Sequence, residues 1–205
     1  LEAKGEYDPH AEKRFAPALC NRLDRGTEGL VLAAKSYAAL RDLNAIIRDD
    51  VMKNGWKEEI GSFSQAYDNL ALDSSLLLME PYGFIEATAP RYSRTVRAVK
   101  EALLHDGLMY RYNSEDDFGM PASAFTICTF WLIRALFVIG EREEARRLFD
   151  GVLRCANHVG LFSEDIDFDT KELLGNFPQA YSHLALVNTA VLFAEEDRSL
   201  TFVRP

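Results

Sequence analysis

The feature that most constrains the fold is a repeat with a period of just over fifty residues. A glycine followed by an apolar residue occurs at positions 55, 107 and 160, so the spacings are 52 and 53 residues. Each pair follows a helical pattern and opens a loop. Between the loops, an apolar helical segment comes first and a charged amphipathic segment comes second. A repeat of inner helix, outer helix and long loop is typical of an α/α toroid.

Hydrophobic periodicity places the helices of this repeat. The first helix is predicted from a Ser36 cap to Asn54, with Gly55 as its stop and an apolar stripe along one side. The later helical segments are 73–80 and 90–104, then 122–139 and 142–157, and finally 178–194. Segment 122–139 is apolar on nearly every side, so we expect it to be buried. The predicted fold class is therefore all-α.

The long loops carry the unusual residues, and one of these loops is strongly acidic. In a toroid the long loops leave at one end and surround the same mouth, and loops of over ~12 residues in a compact domain are usually functional. The stretch 160–167 places Glu164, Asp165 and Asp167 between two helical patterns. A carboxylate on a loop held by two packed helices suits acid or base chemistry, whereas the alternative is a solvated acidic turn.

Composition limits the classes of partner. The net charge is -9, of which residues 1–50 contribute -1 and the remainder -8, so we expect no nucleic-acid partner. No apolar run approaches ~18 residues, which argues against a membrane span. The first residues lack both an initiator Met and the apolar core of a signal peptide, so we expect a fragment or a processed chain.

Cysteine and histidine usage points to a reduced, metal-free protein. The three cysteines are odd in number and widely spaced, which favours free thiols and a cytoplasmic location. No two histidines or cysteines stand at a metal-binding spacing, and no glycine-rich phosphate loop occurs, so we expect neither metal nor cofactor. The residues concerned are Cys20, Cys128, Cys155, His10, His105, His158 and His183.

Four stretches between residues 50 and 196 resemble the C-terminal half of glycoside hydrolase family 15, the glucoamylase-like enzymes. They are residues 61–78, 106–112, 124–132 and 160–182, of which the last is the most specific. The resemblance implies a partial (α/α)6 toroid of helical hairpins with a small N-terminal appendage. It also implies hydrolysis of α-glucosidic bonds with inversion. Glu164 matches the general base of the family, and Arg111 matches its substrate-binding arginine.

The chemistry of inversion fits these residues in part. One carboxylate activates water while a protonated one, ~6.5–9.5 Å away, assists the leaving oxygen. Arg111 can hold sugar hydroxyls through its planar donors, and flat faces for sugar rings are offered by Trp56, Tyr110 and Tyr112. Trp131 lies in an apolar segment and is expected in the core. The family places its general acid in a Trp-Glu pair, and no such pair occurs here, so we expect the isolated chain to be incomplete.

The N-terminal segment resembles a different family. Residues 20–35 are similar to the catalytic motif of RNA pseudouridine synthases, within a match over residues 5–48. That resemblance implies that Asp24 is the catalytic aspartate, with Arg22 or Arg25 as its ionic partner. Base flipping needs a basic surface, whereas this segment is near neutral, and the alternative is a turn that leads into a strand. Two signatures in one chain suggest a chimera, with segments 1–48 and 49–205.

Three functions therefore follow from the sequence. The first is a glycoside hydrolase fragment that acts on an α-glucoside or oligosaccharide, with Glu164 as base. The second is a pseudouridine synthase fragment centred on Asp24. The third is a non-catalytic helical scaffold, because an open half-toroid exposes its inner helices and can form a homo-oligomer through them.

Overall fold

The computed structural model describes residues 16–20, 30–115 and 119–197, and the chain divides into two compact units, Leu1–Gly55 and Trp56–Pro205. The segment with Asp24, Arg22 and Arg25 lies outside the described residues, so the aspartate predicted for a pseudouridine synthase has no described position.

The first unit contains one short hairpin and one long helix. Strand β1 (Ala18–Leu19) pairs antiparallel with β2 (Ala33–Ala34). Helix α1 spans Tyr37–Asn54. Its ends confirm the sequence prediction: the Ala39 N–H donates to the Ser36 hydroxyl at 3.2 Å, and the Gly55 N–H donates to the Val51 carbonyl at 2.9 Å.

The second unit alternates helices with short hairpins. Strands β3 (Trp56–Lys57) and β4 (Ser62–Phe63) form the first hairpin, and a 3₁₀ helix at Ser74–Met79 follows. Helix α2 spans Pro90–Leu103, and β5 (Leu104–His105) and β6 (Leu108–Met109) form the second hairpin. The remaining elements are β7 (Ser123–Phe125), α3 (Thr126–Val138), α4 (Arg142–Leu153), β8 (Asp165–Asp167), β9 (Leu173–Leu174) and α5 (Ala180–Asp197).

Helix α3 is the buried centre of this unit, as its apolar sequence predicts. Leu132, Ile133 and Leu136 are fully buried, and α3 packs against both α4 and α5. Helix α4 is amphipathic and turns Ala145 and Leu148 inward. Its outer side forms ion pairs with α2, among them Lys100 with Glu144 at 2.8 Å. Surface ion pairs contribute about 1 kcal/mol or less even where they are partly covered, so burial around α3 dominates the stability of the unit.

The prediction of an all-α fold needs a correction, because short strands organise the loops between the helices. The described residues form a helix-rich fold with four small sheets, the largest of which has the order β7-β8-β9. In this antiparallel sheet Phe125 pairs with Asp165, and Asp165 pairs with Leu174. The acidic stretch predicted as a loop is therefore the central strand of a sheet, and ladder hydrogen bonds restrict its movement.

Candidate active site

Glu164 is fixed through its backbone before its side chain makes any contact. It immediately precedes β8, and its N–H donates to the carbonyl of Asn176 at 2.9 Å. Its own carbonyl accepts from the N–H of Thr126, the first residue of α3, at 2.9 Å. Glu164 is thus held by Asn176 on one side and by the start of α3 on the other, which fixes the position from which its side chain extends.

Three hydrogen bonds hold the Glu164 carboxylate. The Tyr181 hydroxyl donates to Oε1 at 2.7 Å. The side-chain amide of Asn176 donates to Oε2 at 2.7 Å, and the Asn176 backbone N–H reaches the same oxygen at 3.3 Å. The Tyr181 bond is the main cause that lowers the pKa of Glu164; burial opposes it, and the backbone and side-chain bonds of Asn176 each add a smaller lowering effect. The group is therefore ionised near neutral pH and can accept a proton.

Gly175 gives the carboxylate the space it needs. Its φ of +73° lies in the left-handed region that favours glycine. A Cβ at this position would stand 3.2 Å from both Cβ and Oε2 of Glu164. The close approach brings the neighbouring Asn176 within hydrogen-bonding range of the carboxylate.

Glu164 borders an open hollow of about 320 Å³. Two of the predicted binding residues, Arg111 and Tyr112, line the same hollow, although they lie more than fifty positions away in the sequence. The full lining is Arg111, Tyr112, Gly119, Met120, Pro121, Ser123, Phe125, Glu164 and Asp165. The connecting segments after α2 and after α4 therefore meet at one place, as the repeat suggested.

Arg111 is held in place from behind. Its Nε donates to Oδ2 of Asp73 at 2.9 Å, and Asp73 also caps the 3₁₀ helix by accepting from the Ser75 N–H at 2.6 Å. The guanidinium carbon lies 5.7 Å from the centre of the Trp131 ring. Trp131 is partly exposed, so the expectation that it belongs to the core is wrong, and its ring face supports the arginine instead.

The other two predicted binding residues, Tyr110 and Trp56, are not among those that line the hollow. The Tyr110 ring packs on Phe168, with centroids 4.3 Å apart. Trp56 is only 8% exposed, and its Nε1 donates to Glu58 at 2.7 Å. A contact of Tyr110 or Trp56 with a sugar ring stays a prediction, and the positions of these two side chains outside the hollow do not favour it.

Asp165 brings a second carboxylate to the hollow. Burial, and then the charge of Glu164, raise the pKa of Asp165 to about 6, although a hydrogen bond with Ser123 opposes the shift. Glu164 and Asp165 therefore differ in protonation over the mildly acidic range, even though they are neighbours in the chain.

Sequence reasoning assigned no role to Asn176, Tyr181 or Asp73. All three lie within stretches that carried the family resemblance, so the signal was present. What the sequence could not give is that Asn176 and Tyr181 turn back onto a carboxylate that lies 12 and 17 positions earlier in the chain.

A second hollow, of about 340 Å³, runs along α5 and is mostly apolar. Its wall includes Tyr82, Trp131, Tyr181 and Leu184, of which Tyr82 is 82% and Leu184 62% exposed. We call this hollow the α5 groove. Tyr181 borders it and also contacts Glu164, so the groove and the active-site hollow share one side chain.

Other site classes leave no trace in the described ranges. No group of three or more potential metal-binding side chains occurs in residues 16–20, 30–115 and 119–197. None of the helices in these ranges is long and apolar enough to cross a bilayer. Cys20, Cys128 and Cys155 are all free thiols.

Comparison with known proteins identifies relatives of this chain. A trehalase of Mycolicibacterium smegmatis is 42% identical over 182 residues, which is 85% of this chain and 27% of that protein. A trehalase of Thermoplasma acidophilum is 37% identical over 164 residues, or 79% of this chain and 28% of that protein. The chain thus spans about a quarter of the length of these relatives.

Solved structures agree on the fold. A wild-type glycosidase superimposes with a TM-score of 0.63 at 22% identity, covering 76% of this chain and 45% of the glycosidase chain. A glycosidase variant in complex with glucose gives the same TM-score at 20% identity and with the same coverage.

The sequence model of the family described as "Glycosyl hydrolases family 15" matches residues 18–191. The match includes residues 20–35, the motif that resembles a pseudouridine synthase, and neither that resemblance nor a chimeric origin finds support in these comparisons. With 174 consecutive positions matched by one family model and with relatives at up to 42% identity, the chain belongs to glycosyl hydrolase family 15.

Proposed function

We propose that this chain carries the general-base side of the active site of an inverting glycoside hydrolase, and that its substrate is trehalose. The observation that supports the proposal most strongly is the Glu164 carboxylate, held by Tyr181 and Asn176 at the edge of a hollow that also contains Arg111. The substrate is inferred from the relatives, which are trehalases of two organisms.

In the proposed reaction Glu164 activates a water molecule. The water oxygen forms a bond to the anomeric carbon while the bond to the leaving oxygen breaks on the opposite face, and Glu164 accepts the proton that the water loses. The leaving oxygen takes its proton from a separate acid. The Arg111 guanidinium, fixed by Asp73, would hold sugar hydroxyls through planar donors and would set the ring against the water.

The proposal does not assign the acid to Asp165. An inverting hydrolase needs its two carboxyl groups on opposite sides of the scissile bond, ~6.5–9.5 Å apart. Asp165 follows Glu164 directly in the chain, so the two side chains start from the same short segment and not from opposite sides of a bound sugar. The acid therefore has to face Glu164 from another part of the complete active site.

The architecture that goes with this function is an (α/α)6 toroid, of which the described helices supply part. The superposition on a glycosidase over 45% of its chain supports this assignment of the fold. Exposed apolar side chains along the α5 groove support a further proposal, that this face pairs with a second copy of the chain. A cytoplasmic location, expected from the free thiols, remains part of the same proposal.

The decisive substrate is α-glucosyl fluoride. Fluoride leaves without needing a proton, so its release from this sugar depends on the base and does not require the missing acid. We expect the chain to release fluoride, measured with an ion-selective electrode, and to form β-glucose first, as seen by proton NMR. Glu164→Gln should lower the rate by about 10² or more, because the amide cannot accept the proton of water.

The matched control is Glu172→Gln, which makes the same chemical change at an exposed residue in the same sheet region, outside the hollow. This variant should keep the wild-type rate. Equal loss in both variants, or α-glucose as the first product, would contradict the assignment of Glu164 as an inverting base. Inhibition of fluoride release by trehalose, compared with inhibition by maltose, tests the choice of substrate separately, because binding does not require the missing acid.

A further inference from the structure

Tyr181 donates a hydrogen bond to Oε1 of Glu164, and nothing in the sequence pattern assigns it a role. It lies in the first turn of α5, and its hydroxyl donates to Oε1 at 2.7 Å. Its ring meets the edge of Phe125, with centroids 5.8 Å apart and planes at 63°. Phe125 also lines the active-site hollow, so the phenol is oriented by a wall of the site.

The start of α5 is tied to the backbone beside Glu164. The Ser182 hydroxyl donates to the Ser163 carbonyl at 3.0 Å, and the Gln179 N–H donates to the Phe162 carbonyl at 3.0 Å. Because these bonds flank both residues, Tyr181 and Glu164 cannot shift much relative to each other. The tyrosine is thus a fixed donor, and its hydrogen bond costs little additional side-chain entropy.

The hydroxyl keeps its proton throughout the working pH range. Burial, followed by the hydrogen bond to Glu164 and the negative charges of Glu164 and Asp165, raises the pKa of Tyr181 well above its usual value. A neutral phenol beside a carboxylate can only donate, so the contact always favours the ionised form of Glu164.

The two carboxylate oxygens are gripped from different elements. Asn176, between β9 and α5, holds Oε2, whereas Tyr181, on α5 itself, holds Oε1. A hydrogen bond to one oxygen alone would leave the carboxylate free to rotate about its terminal torsion, whose energy profile is broad and roughly two-fold. Hydrogen bonds to both oxygens restrict that rotation.

We propose that Tyr181 is a positioning residue for the general base, which fixes the plane of the Glu164 carboxylate so that one lone pair of the carboxylate faces the attacking water. This role rests on the proposed function of Glu164. Tyr181 would act through Glu164 and would not touch the sugar, so its loss should lower kcat for fluoride release and leave KM nearly unchanged.

The test compares Tyr181→Phe with the wild-type chain. The substitution removes one oxygen and keeps the ring that packs on Phe125. Carboxyl-selective carbon NMR of the chain labelled at glutamate should show the pKa of Glu164 rising by about one unit, since a hydrogen bond to a charged group is lost. The kcat for α-glucosyl fluoride should fall roughly tenfold, and the acid limb of its pH profile should move to higher pH by the same interval.

The control is Tyr92→Phe, which removes a buried hydroxyl that donates to the Leu77 carbonyl at 2.8 Å, away from the hollow. It should destabilise the fold but leave the pKa of Glu164 and the pH profile unchanged. If Tyr181→Phe shifts neither the pKa nor the acid limb, the positioning role is wrong even where Glu164→Gln abolishes activity. If the wild-type chain releases no fluoride while the pKa shift is seen, the proposed function fails and the contact itself stands.

Discussion

At the residue scale, the carboxylate of Glu164 depends on the absence of a side chain next to it. Gly175→Ala would place a Cβ 3.2 Å from Oε2 of Glu164, at a φ of +73°. Gly160→Ala provides a matched control, because its φ of +80° is similar and no atom lies within 4 Å of its added Cβ. The left-handed backbone alone should cost each variant about 1–2 kcal/mol.

We therefore predict that the two alanine variants differ in stability and in activity, although both carry the same backbone strain. Gly175→Ala should lose more stability than Gly160→Ala in urea unfolding. Only Gly175→Ala should also lose fluoride release, because the added Cβ displaces the hydrogen bonds from Asn176 to Glu164. Equal urea midpoints together with equal rates would show that the close approach at Gly175 has no consequence.

Asp165 and Asp167 should respond to pH with opposite signs, although they lie on the same short strand. The folded-state pKa of Asp165 is raised to about 6, so the folded chain keeps a proton that the unfolded chain loses above about 4. The contribution of Asp165 to stability therefore falls as pH rises through this window. Asp165→Asn should raise the urea midpoint at pH 8 and change it little at pH 4.

Hydrogen bonds from Thr170 lower the pKa of Asp167, first from its backbone and then from its side chain. Its ionised form is the favoured one, so its contribution is present above the ordinary aspartate pKa and is lost as pH falls through the lower folded value. Asp167→Asn should accordingly lower the urea midpoint at pH 8 and converge with the wild type at acid pH. Shifts of the same sign in both variants would contradict these environments.

At the element scale, the amphipathic helix α4 offers a direct comparison of burial on one helix. Leu148 is 2% exposed and faces the core, whereas Leu153, at the end of the same helix, is 39% exposed. Leu148→Ala should cost about 2–5 kcal/mol through lost contacts and the cavity left behind. Leu153→Ala should cost under about 1 kcal/mol. Chemical denaturation at pH 7 measures both, and similar values would place the core elsewhere.

The sequence predicts an element well when the signals that fix it are local, and poorly when they come from residues distant in the chain. The start and end of α1 were predictable, since the Ser36 cap and the Gly55 stop are local signals that the structure confirms. Segment 73–80 is a 3₁₀ helix capped by Asp73, and the contact of Asp73 with Arg111 is one that no local pattern reveals. The strand after Glu164 was missed because its partner β7 lies far from it in the sequence, although its other partner, β9, follows it closely.

At the scale of the whole molecule, the repeat predicted a helix-rich fold and brought two of its three loops to one hollow. It could not show which side chains close on Glu164, because Tyr181 and Asn176 reach it only after the chain has reversed through β8 and β9. The sequence contains no Trp-Glu pair, and the chain spans about a quarter of the length of its relatives.

The exposed face along the α5 groove leads to the last prediction, that the chain associates with itself. Leu184 and Val187 are 62% and 56% exposed on α5, and Tyr82 stands across the groove at 82%. A two-fold dimer uses the same surface patch on both subunits, and we propose this exposed apolar face as that patch. The net charge of -9 opposes association, so added salt should strengthen it by screening.

Sedimentation at several concentrations should therefore show a weight-average mass that rises with both concentration and ionic strength. Leu184→Glu should hold the chain as a monomer, because a charge in the contact would have to be desolvated. Val159→Glu is the control, since Val159 is 63% exposed on a turn outside the groove and should leave association unchanged. A monomer at every concentration would contradict the prediction that the α5 groove binds a second copy. Loss of association in both variants would place the contact elsewhere on the surface.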